Sequence, residues 1–268
     1  MFDHDDEIVI AVSGGKDSIT LLHILTKIER AFPKASLSAT TIDEGIRGYR
    51  DEALRIAEGN CRELGTEHKV VSFRELYGLE LDEIVKKIRQ SADSQLTPCA
   101  YCGVLRRKAL NTAARESGAD KLVTAHSLDD ETQSMILNII HGDPLRNARA
   151  KPVLPEVHPM LVQRVKPLCE VQEREVAFYA FLRGIEFQGT PCPYAGTALR
   201  NDARDMLNRM EQKHPGTKYT TFRSMEKVRP ALETLAVQAE LRECKVCGEP
   251  TVGEICRACQ MLKELRAS

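Results

Sequence analysis

The sequence of 268 residues contains no tryptophan, and aromatic residues make up only 5% of it. Its core must therefore be filled mainly by leucine, isoleucine, valine and alanine. No segment approaches the ~18 consecutive apolar residues of a membrane-spanning helix, and no apolar signal segment follows the acidic start MFDHDDE. The formal net charge of −1 gives no general positive surface for nucleic acid. We therefore expect a globular protein, neither secreted nor membrane-inserted, that contacts any nucleic acid through local basic patches.

Cysteine, by contrast, is frequent, with nine in the chain. An odd number fits a disulfide framework poorly, and a chain of this length does not need one. Six of the nine form three Cys-x-x-Cys pairs, namely Cys99 with Cys102, Cys244 with Cys247, and Cys256 with Cys259. In a protein that is not secreted, such pairs indicate metal sites first. We therefore expect a cytoplasmic protein in a reducing environment.

Short strand-like runs alternate with helical patterns along much of the chain. The strand-like runs are residues 7–12, 37–42, 68–73 and 121–126. Helical apolar periodicity follows them in residues 19–28, 51–64 and 103–116, and in a last helix that runs to about residue 140. This alternation predicts an α/β fold, a parallel sheet with helices on both faces. Ligands of such sheets lie beyond the carboxyl ends of the strands, where residues 13–18, 43–45 and 126–131 fall.

The remainder of the chain is less regular. Prolines interrupt residues 151–168, where we expect a loop-rich connection with one short strand in VQRVKPL. Helices are predicted over residues 170–183 and 198–212. The composition then changes at about residue 240 to a small cysteine-rich tail. We therefore divide the chain into a main domain, residues 1–239, and a C-terminal domain, residues 240–268.

The segment SGGKDS, residues 13–18, connects the first strand to the first helix. Backbone N–H groups at such a turn point into one space, and the helix dipole adds partial positive charge, which together form a cradle for phosphate. Ser13 and Ser18 can donate hydrogen bonds, Lys16 adds positive charge, and Asp17 can hold Mg²⁺. Because its glycines are adjacent, the segment differs from the motif G-x-x-x-x-G-K-[ST]. A plain strand-to-helix turn with two glycines is the alternative interpretation.

A second polar group, residues 125–132, follows the fourth strand. Asp129 and Asp130 can bind Mg²⁺ or stabilise a charged intermediate, while Glu131 is expected to begin the next helix. Carboxylates are also favoured at helix N-termini for structural reasons alone. The functional interpretation is favoured because the glycine loop belongs to the same sheet.

Three cysteines form a third group. Cys99 and Cys102 lie just before the helix predicted from residue 103, a position that favours thiolates and lowers thiol pKa values. Such a pair alone fits a redox dithiol or half of a zinc site. Cys192 lies between two prolines, in a loop of restricted shape. Three thiolates without a fourth ligand are unusual for structural zinc and suit a [4Fe–4S] cluster with one open iron.

The tail has the spacing Cys-x2-Cys-x8-Cys-x2-Cys, formed by Cys244, Cys247, Cys256 and Cys259. Two such knuckles supply four soft ligands, the donor set of a tetrahedral zinc ribbon. A tail this small has no core of its own, so we expect zinc to drive its folding.

Together these motifs resemble the tRNA 2-thiouridine synthetases of the TtuA and TtcA type, a family of PP-loop enzymes related to the N-type ATP pyrophosphatases. The resemblance covers nearly the whole chain, through SGGKDS, PCAYCGVLRR, AHSLDDETQSMILNIIHGD, VKPL, TPCPYAG and the cysteine-rich tail. It implies an adenine nucleotide alpha hydrolase-like fold and cleavage of ATP between its α and β phosphates. The C-terminal zinc ribbon favours the branch of the family that carries two zinc ribbons.

The resemblance also implies individual site residues. The cysteines that match those holding a [4Fe–4S] cluster, whose free iron is taken to bind incoming sulfide, are Cys99, Cys102 and Cys192. The expected catalytic residues are Lys16, Asp17 and Asp130. The expected nucleotide-binding residues are Ala11, Val12, Ser13, Gly14, Gly15, Lys16, Asp17, Ser18, Ile42, Arg106 and Ala125.

The sequence departs from the family pattern at two places. Members of this branch usually begin with another four-cysteine ribbon, whereas only twelve residues precede Ser13 here and none is cysteine. Either the chain is truncated or this member lacks the module, and tRNA docking would differ accordingly. The usual Gly-His-Asn before the acidic pair is Ala125-His126-Ser127 here, and Ala125 still leaves room for a nucleotide.

The resemblance implies ATP-dependent conversion of a tRNA uridine to 2-thiouridine. ATP would adenylate the C2 oxygen, with Mg²⁺ and Lys16 offsetting the charge on the phosphates, and sulfide held on the cluster would then displace AMP. The expected cofactors are ATP, Mg²⁺, a [4Fe–4S] cluster and Zn²⁺. The expected partners are tRNA and a sulfur donor, either sulfide or a ubiquitin-like sulfur carrier protein, and we expect a homodimer. Basic residues that could follow tRNA phosphates are Arg106, Arg107, Lys108, Arg146, Arg149, Lys151, Arg200 and Arg204.

Two other functions stay open at this point. A tRNA lysidine synthetase shares the glycine loop and a similar acidic stretch but needs no cysteine triad, so iron and labile sulfide distinguish it. A metal-binding RNA adaptor with an inactive nucleotide site would keep the cysteines and would not cleave ATP to AMP and pyrophosphate.

Overall fold

Five parallel strands form the central sheet of the computed structural model, which describes residues 1–90, 96–196, 199–236 and 240–267. The strands are β1 (Glu7–Ala11), β2 (Ser36–Asp43), β3 (Glu67–Ser72), β4 (Lys121–Val123) and β5 (Gln163–Val165). Their order is β3-β2-β1-β4-β5, and all neighbouring pairs are parallel. The predicted parallel sheet is therefore confirmed, including the short strand expected within VQRVKPL.

Helices cover both faces of this sheet. They are α1 (Lys16–Glu29), α2 (Arg50–Leu64), α3 (Phe73–Tyr77), α4 (Leu81–Gln90), α5 (Pro98–Glu116), α6 (Leu128–Ile140), α7 (Glu173–Arg183), α8 (Leu199–Lys213), α9 (Thr217–Leu235) and α10 (Arg257–Ala267). Side chains of β1 alternate between the faces, so that Ile8 and Ile10 pack with α1, α2 and α7, whereas Val9 packs with α3, α4 and α5. Strand β1 is apolar on both sides because both faces are covered.

The connections change direction at β1. The chain first continues to β2 and β3 on one side of β1 and later returns to β4 and β5 on the other side. The loops after β1 and β4 therefore leave a crevice at the carboxyl ends of two neighbouring strands, the usual ligand position in open sheets of this class.

Helix α5 begins at Pro98, so the prediction of a start at residue 103 was wrong. Thr97 caps the helix, since its side-chain oxygen accepts a hydrogen bond from the backbone N–H of Ala100 at 3.3 Å, and Pro98 suits the first turn. Cys99 and Cys102 therefore lie inside α5 rather than before it.

Three further boundaries also differ from the prediction. Helix α6 begins at Leu128 instead of Glu131, because Ser127 accepts a hydrogen bond from the backbone N–H of Asp130 at 3.3 Å. Strand β4 ends at Val123 instead of residue 126 because the chain must leave the sheet to reach this cap. Helix α7 begins at Glu173 instead of residue 170, where Glu175 Oε2 accepts a hydrogen bond from the backbone N–H of Gln172 at 2.8 Å.

The cysteine-rich tail packs directly on the main sheet domain. It contains a two-stranded ribbon, β6 (Arg242–Glu243) and β7 (Pro250–Thr251), followed by α10. Buried Met261 and Leu265 of α10 share an apolar core with α4 and α5, and Lys87 Nζ donates to the Leu265 carbonyl at 2.9 Å. The predicted domain boundary after residue 239 lies outside the described residues. None of the described helices is long and apolar enough to cross a membrane.

Candidate active site

The glycine loop after β1 is held tightly against α2. Gly14 has a positive φ of 88°, which side chains rarely tolerate. A Cβ atom at Gly14 would also lie 2.6 Å from the backbone oxygen of Ala53 on α2. Glycine is therefore required here by both backbone conformation and space.

The loop presents the first turn of α1 to the crevice. Ser18 Oγ accepts from the backbone N–H of Ser13 at 3.0 Å and donates to the carbonyl of Gly15 at 3.0 Å, which fixes the turn. Gly15 is the N-cap of α1 and provides no side-chain cap. The backbone donors of this first turn therefore suit an anion, as predicted for residues Ser13 to Ser18. Below the loop, Ala11 ends β1, and the backbone N–H of Val12 donates to the Thr40 carbonyl at 2.9 Å.

Charged side chains surround the entrance to this loop. Lys16 Nζ donates to Glu173 Oε1 at 2.6 Å and to Asp17 Oδ2 at 3.1 Å. Asp17 Oδ1 is buried and accepts no hydrogen bond from any described residue. Burial raises the pKa of Asp17 to about 6 against the opposing charge of Lys16, and the negative charges of Glu173 and Asp130 add to the increase. A divalent cation beside Asp17 would satisfy the unpartnered oxygen and offset this negative charge.

The acidic pair at the start of α6 performs two different tasks. Asp130 Oδ2 accepts from the backbone N–H of Ser127 at 3.1 Å and completes a capping box, while Asp130 Oδ1 faces Arg200 at 3.3 Å. Asp129 is buried, forms an ion pair with Lys218 of α9, and accepts from the backbone N–H of Glu173 at 2.8 Å. Asp129 therefore joins α6, α7 and α9, whereas Asp130 stays at the crevice.

A buried carboxylate that the sequence analysis did not single out links the glycine loop to the cysteines. Glu44, directly after β2, pairs with Arg50 Nε at 2.8 Å and with Arg106 Nε at 2.7 Å. Arg50 also donates to the carbonyls of Ser13 at 2.9 Å and Ile42 at 2.7 Å. Its position in the crevice-facing segment 43–45 was the only sequence signal for Glu44.

Arg106 continues this network to the cysteine triad. Its Nη2 donates to the sulfur of Cys102 at 3.0 Å. Arg106, assigned to the nucleotide by resemblance, thus contacts the triad through one end of its guanidinium and Glu44 through the other. The two ends of the network, Ser13 and Cys102, belong to the predicted nucleotide and cluster sites.

The three cysteines of the triad differ in their exposure to solvent. Cys102 is buried, Cys99 is exposed, and the Cys99 thiol donates to the Tyr194 carbonyl of the proline-flanked loop at 3.6 Å. Cys192 of that loop packs against the same apolar core as Cys102. Burial raises the pKa of Cys102 to about 11 and also raises the pKa of Cys99, with the nearby Cys192 charge acting in the same direction. The expected lowering of these thiol pKa values was wrong, because burial outweighs the helix start.

These thiols suit a cofactor that brings its own positive charge. Such a group would favour the thiolates that burial disfavours. The donor set therefore fits a [4Fe–4S] cluster held by Cys99, Cys102 and Cys192.

The four tail cysteines converge as metal ligands do. The sulfur atoms of Cys244, Cys247, Cys256 and Cys259 all lie within 4.8 Å of one another. The Cys247 and Cys256 sulfurs are 3.7 Å apart, and the backbone N–H of Cys256 donates to the Cys244 sulfur at 3.2 Å. A regular tetrahedron with Zn–S bonds of ~2.3 Å has sulfur separations of ~3.8 Å, so one zinc ion fits this cluster.

Other predicted residues take subsidiary positions. Ile42 is buried at the end of β2, and Ala125 packs on the core formed by β1, α1 and α2. His126 Nδ1 is 2.9 Å from Thr124 Oγ1, and burial lowers its pKa. Most of the predicted basic residues are engaged within the protein, as shown by pairs of Arg146 with Asp143, Lys151 with Glu233, Arg200 with Asp130, and Lys108 with the Cys247 sulfur.

Comparison with known proteins gives one consistent result. Residues 2–211 match a family model described as a PP-loop domain. The tRNA 2-thiolation protein NcsA of Haloferax volcanii is 35% identical over 97% of this chain and 82% of its own length. The tRNA-5-methyluridine(54) 2-sulfurtransferase of Pyrococcus horikoshii is 35% identical over 96% of this chain and 78% of its own. Among solved structures, the U34-tRNA thiolase NcsA from Methanococcus maripaludis with its [4Fe-4S] cluster superimposes with a TM-score of 0.83, at 35% identity over 97% of this chain and 81% of that one.

Proposed function

Because the chain belongs to the PP-loop family of tRNA 2-thiolation proteins, we propose that it is an ATP-dependent tRNA-uridine 2-sulfurtransferase. The observation that carries this proposal is the Glu44 network. It joins the glycine loop, through Arg50 and the Ser13 carbonyl, to the cysteine triad, through Arg106 and the Cys102 sulfur. A phosphate site and a sulfur site at one end of the sheet are what activation and thiolation of one base require.

The reaction divides between these two sites. The C2 oxygen of the uridine attacks the α-phosphorus of ATP, the bond to the β-phosphate breaks, and pyrophosphate leaves into the glycine loop. Lys16 and the N–H groups of the first turn of α1 stabilise the charge that develops on the phosphates. Asp17 and Asp130 would hold Mg²⁺ beside the phosphates, where it acts as a Lewis acid. Sulfide then forms a bond to C2, the C2–O bond breaks, and the oxygen leaves with AMP.

The cysteine triad would hold the [4Fe–4S] cluster. When bound, the cluster supplies an iron position without a protein ligand, where sulfur can be retained. Arg106 donates a hydrogen bond to the Cys102 sulfur and stabilises its thiolate form. Glu44 fixes the Arg106 guanidinium from the opposite side. The orientation of the Cys102 sulfur therefore depends on the same carboxylate that pairs with Arg50.

The proposed function is tested by analysing nucleosides from tRNA incubated anaerobically with cluster-reconstituted enzyme, ATP, Mg²⁺ and sulfide. We expect 2-thiouridine, with one AMP and one pyrophosphate released for each sulfur incorporated, and none without ATP. Lysidine formed in a parallel incubation with lysine in place of sulfide would favour a lysidine synthetase instead. Absence of ATP cleavage in the presence of tRNA would favour a metal-binding RNA adaptor.

We also propose that the tail binds one zinc ion through its four cysteines. Cys256→Ser should remove zinc and loosen α10, while ATP affinity stays close to that of the unmodified protein. The physical reason is that a three-thiolate site loses the closed tetrahedron on which the fold of the tail depends. Elemental analysis measures the zinc, and Cys61→Ser, at a buried cysteine of α2, is the control. Full zinc retention in Cys256→Ser would refute the assignment.

Partners and location extend this proposal. The nine cysteines all lie in the described residues and are free thiols. We propose a reducing, cytoplasmic setting for the protein. Either sulfide or a ubiquitin-like carrier protein could deliver the sulfur. The sulfur donor and the homodimer stay predictions.

A further inference from the structure

A cavity of about 320 Å³ lies between the main sheet domain and the four-cysteine tail. One wall is formed by α5, a second by β5 and the segment before it, and the third by the tail at Pro250 and Arg257. Leu154 and Pro155 form an apolar wall of the cavity. Their segment is held beside β5, because the backbone N–H of Leu154 donates a hydrogen bond to the Arg164 carbonyl at 2.9 Å.

Cationic side chains dominate the polar part of the lining. Arg107, Lys108, Arg164 and Arg257 contribute positive charge, whereas the one carboxylate in the described lining, Glu249, is already paired with Arg115 at 2.8 Å. Lys108 is engaged with the Cys247 sulfur, and Arg257 lies 3.7 Å from Glu264. Among the described residues, Arg107 and Arg164 alone of these four cations have no side-chain hydrogen bond or ion pair.

Arg164 and Arg107 both line the cavity but differ in their exposure to solvent. Arg164 Nε is shielded from solvent and has no hydrogen-bond partner in the described residues. Arg107 is more open, and its Nη1 lies over Gly103, 3.5 Å from the position that a Cβ there would occupy. Burial lowers the pKa of both groups, and the charge of Arg107 lowers the pKa of Arg164 further.

Two adjacent cations without a carboxylate partner weaken the folded protein unless an anion joins them. Local conflicts of this kind are characteristic of binding sites. We propose that this cavity binds a phosphodiester group of the tRNA substrate, with Arg107 and Arg164 as its ligands and the apolar side facing the adjoining nucleotide. The inference rests on the proposed function and adds that the tail forms one wall of the RNA site. Phosphodiester is favoured because it is the anion that tRNA presents at every residue, and guanidinium groups bind it by paired hydrogen bonds.

The test compares holoenzyme with Arg107→Gln, Arg164→Gln and the double variant, using bulk tRNA in a binding titration at several salt concentrations. Each single substitution should weaken binding by about tenfold and reduce the slope of log K against log salt by about one, and the double variant by about two. ATP affinity measured without RNA should not change. Arg62→Gln is the control, because it removes the same charge from an exposed ion pair with Glu58 on α2.

A structural role of these arginines would give a different pattern. Loss of an uncompensated cation should leave the Tm unchanged or raise it, so a clear fall in Tm with unchanged tRNA affinity refutes the proposal. Unchanged affinity and slope in both variants, while the parent enzyme thiolates tRNA, would also refute it and leave the proposed function intact. If the variants lost only turnover with a thiocarboxylate carrier protein and not with free sulfide, the cavity would belong to that protein. A parent enzyme that neither binds nor thiolates tRNA would refute the proposed function itself.

Discussion

Replacement of Cys192 by alanine is expected to abolish formation of 2-thiouridine and to remove the bound iron. Cys99→Ala and Cys102→Ala should do the same, and the triple variant should be no worse than any single one, because the three residues serve one cofactor. Each loss leaves two protein thiolates for a cluster that needs three. Iron and labile sulfide content, together with nucleoside analysis of treated tRNA, measure the two effects separately.

Cys169→Ala is the matched control for this series. Cys169 is also buried, but it lies in the core between α6 and α9, away from the triad. Its substitution should leave iron content and thiolation close to those of the parent protein. Equal thiolation by iron-free and cluster-reconstituted enzyme, with sulfide as donor, would contradict the cluster and favour a cysteine persulfide route.

The second large effect is expected at the two carboxylates that face the glycine loop. Asp17→Asn and Asp130→Asn should each lower the rate of pyrophosphate release by at least about 10²-fold, the usual cost of removing one electrostatic stabiliser. Asparagine keeps the size of both side chains, and at position 130 its amide oxygen can still accept the capping hydrogen bond from Ser127. Pyrophosphate release in the presence of tRNA gives the rate, and the iron content should not change.

Asp51→Asn serves as the control for charge at a helix start. Asp51 lies exposed in the first turn of α2, so it has the same local position without facing the crevice. It should release pyrophosphate at the parent rate. Normal turnover in Asp17→Asn or Asp130→Asn would remove that residue from the proposed machinery.

The order of the fold was predictable because it depends on local patterns. Apolar β-branched runs separated by helical periodicity required a parallel sheet, and SGGKDS marked the first ligand loop. Helix α9 was missed because two of its three buried side chains, Lys218 and Arg229, are charged, so no apolar periodicity marks it. The helix is held in place by Phe222, which packs in a small core with α6, and by Lys218, which pairs with Asp129. Both contacts join residues that are far apart in the sequence, so the sequence does not show them.

The site was predictable where a residue's chemistry is evident from its type and spacing. The glycine loop, the acidic pair and the cysteines belong to this class. Glu44 and Glu173 do not, because their importance comes from long-range partners, Arg106 for the first and Lys16 for the second. The prediction of a lowered pKa for Cys102 was wrong for the same reason. The sequence showed that Cys102 lies near a helix start, but not that it is buried in the core shared with the tail.

Helix α5 links the proposed zinc site of the tail to the proposed iron site, because it packs against the tail and carries two of the three cluster cysteines. Tyr101, Cys102 and Leu105 pack in the same core as the tail residues Met261 and Leu265. If zinc starvation left the tail unfolded, this face of the helix would be exposed to water, and its first turns would fray. Those turns carry two of the three proposed iron ligands. Cells short of zinc are therefore expected to lose iron from this protein as well, even where iron is plentiful.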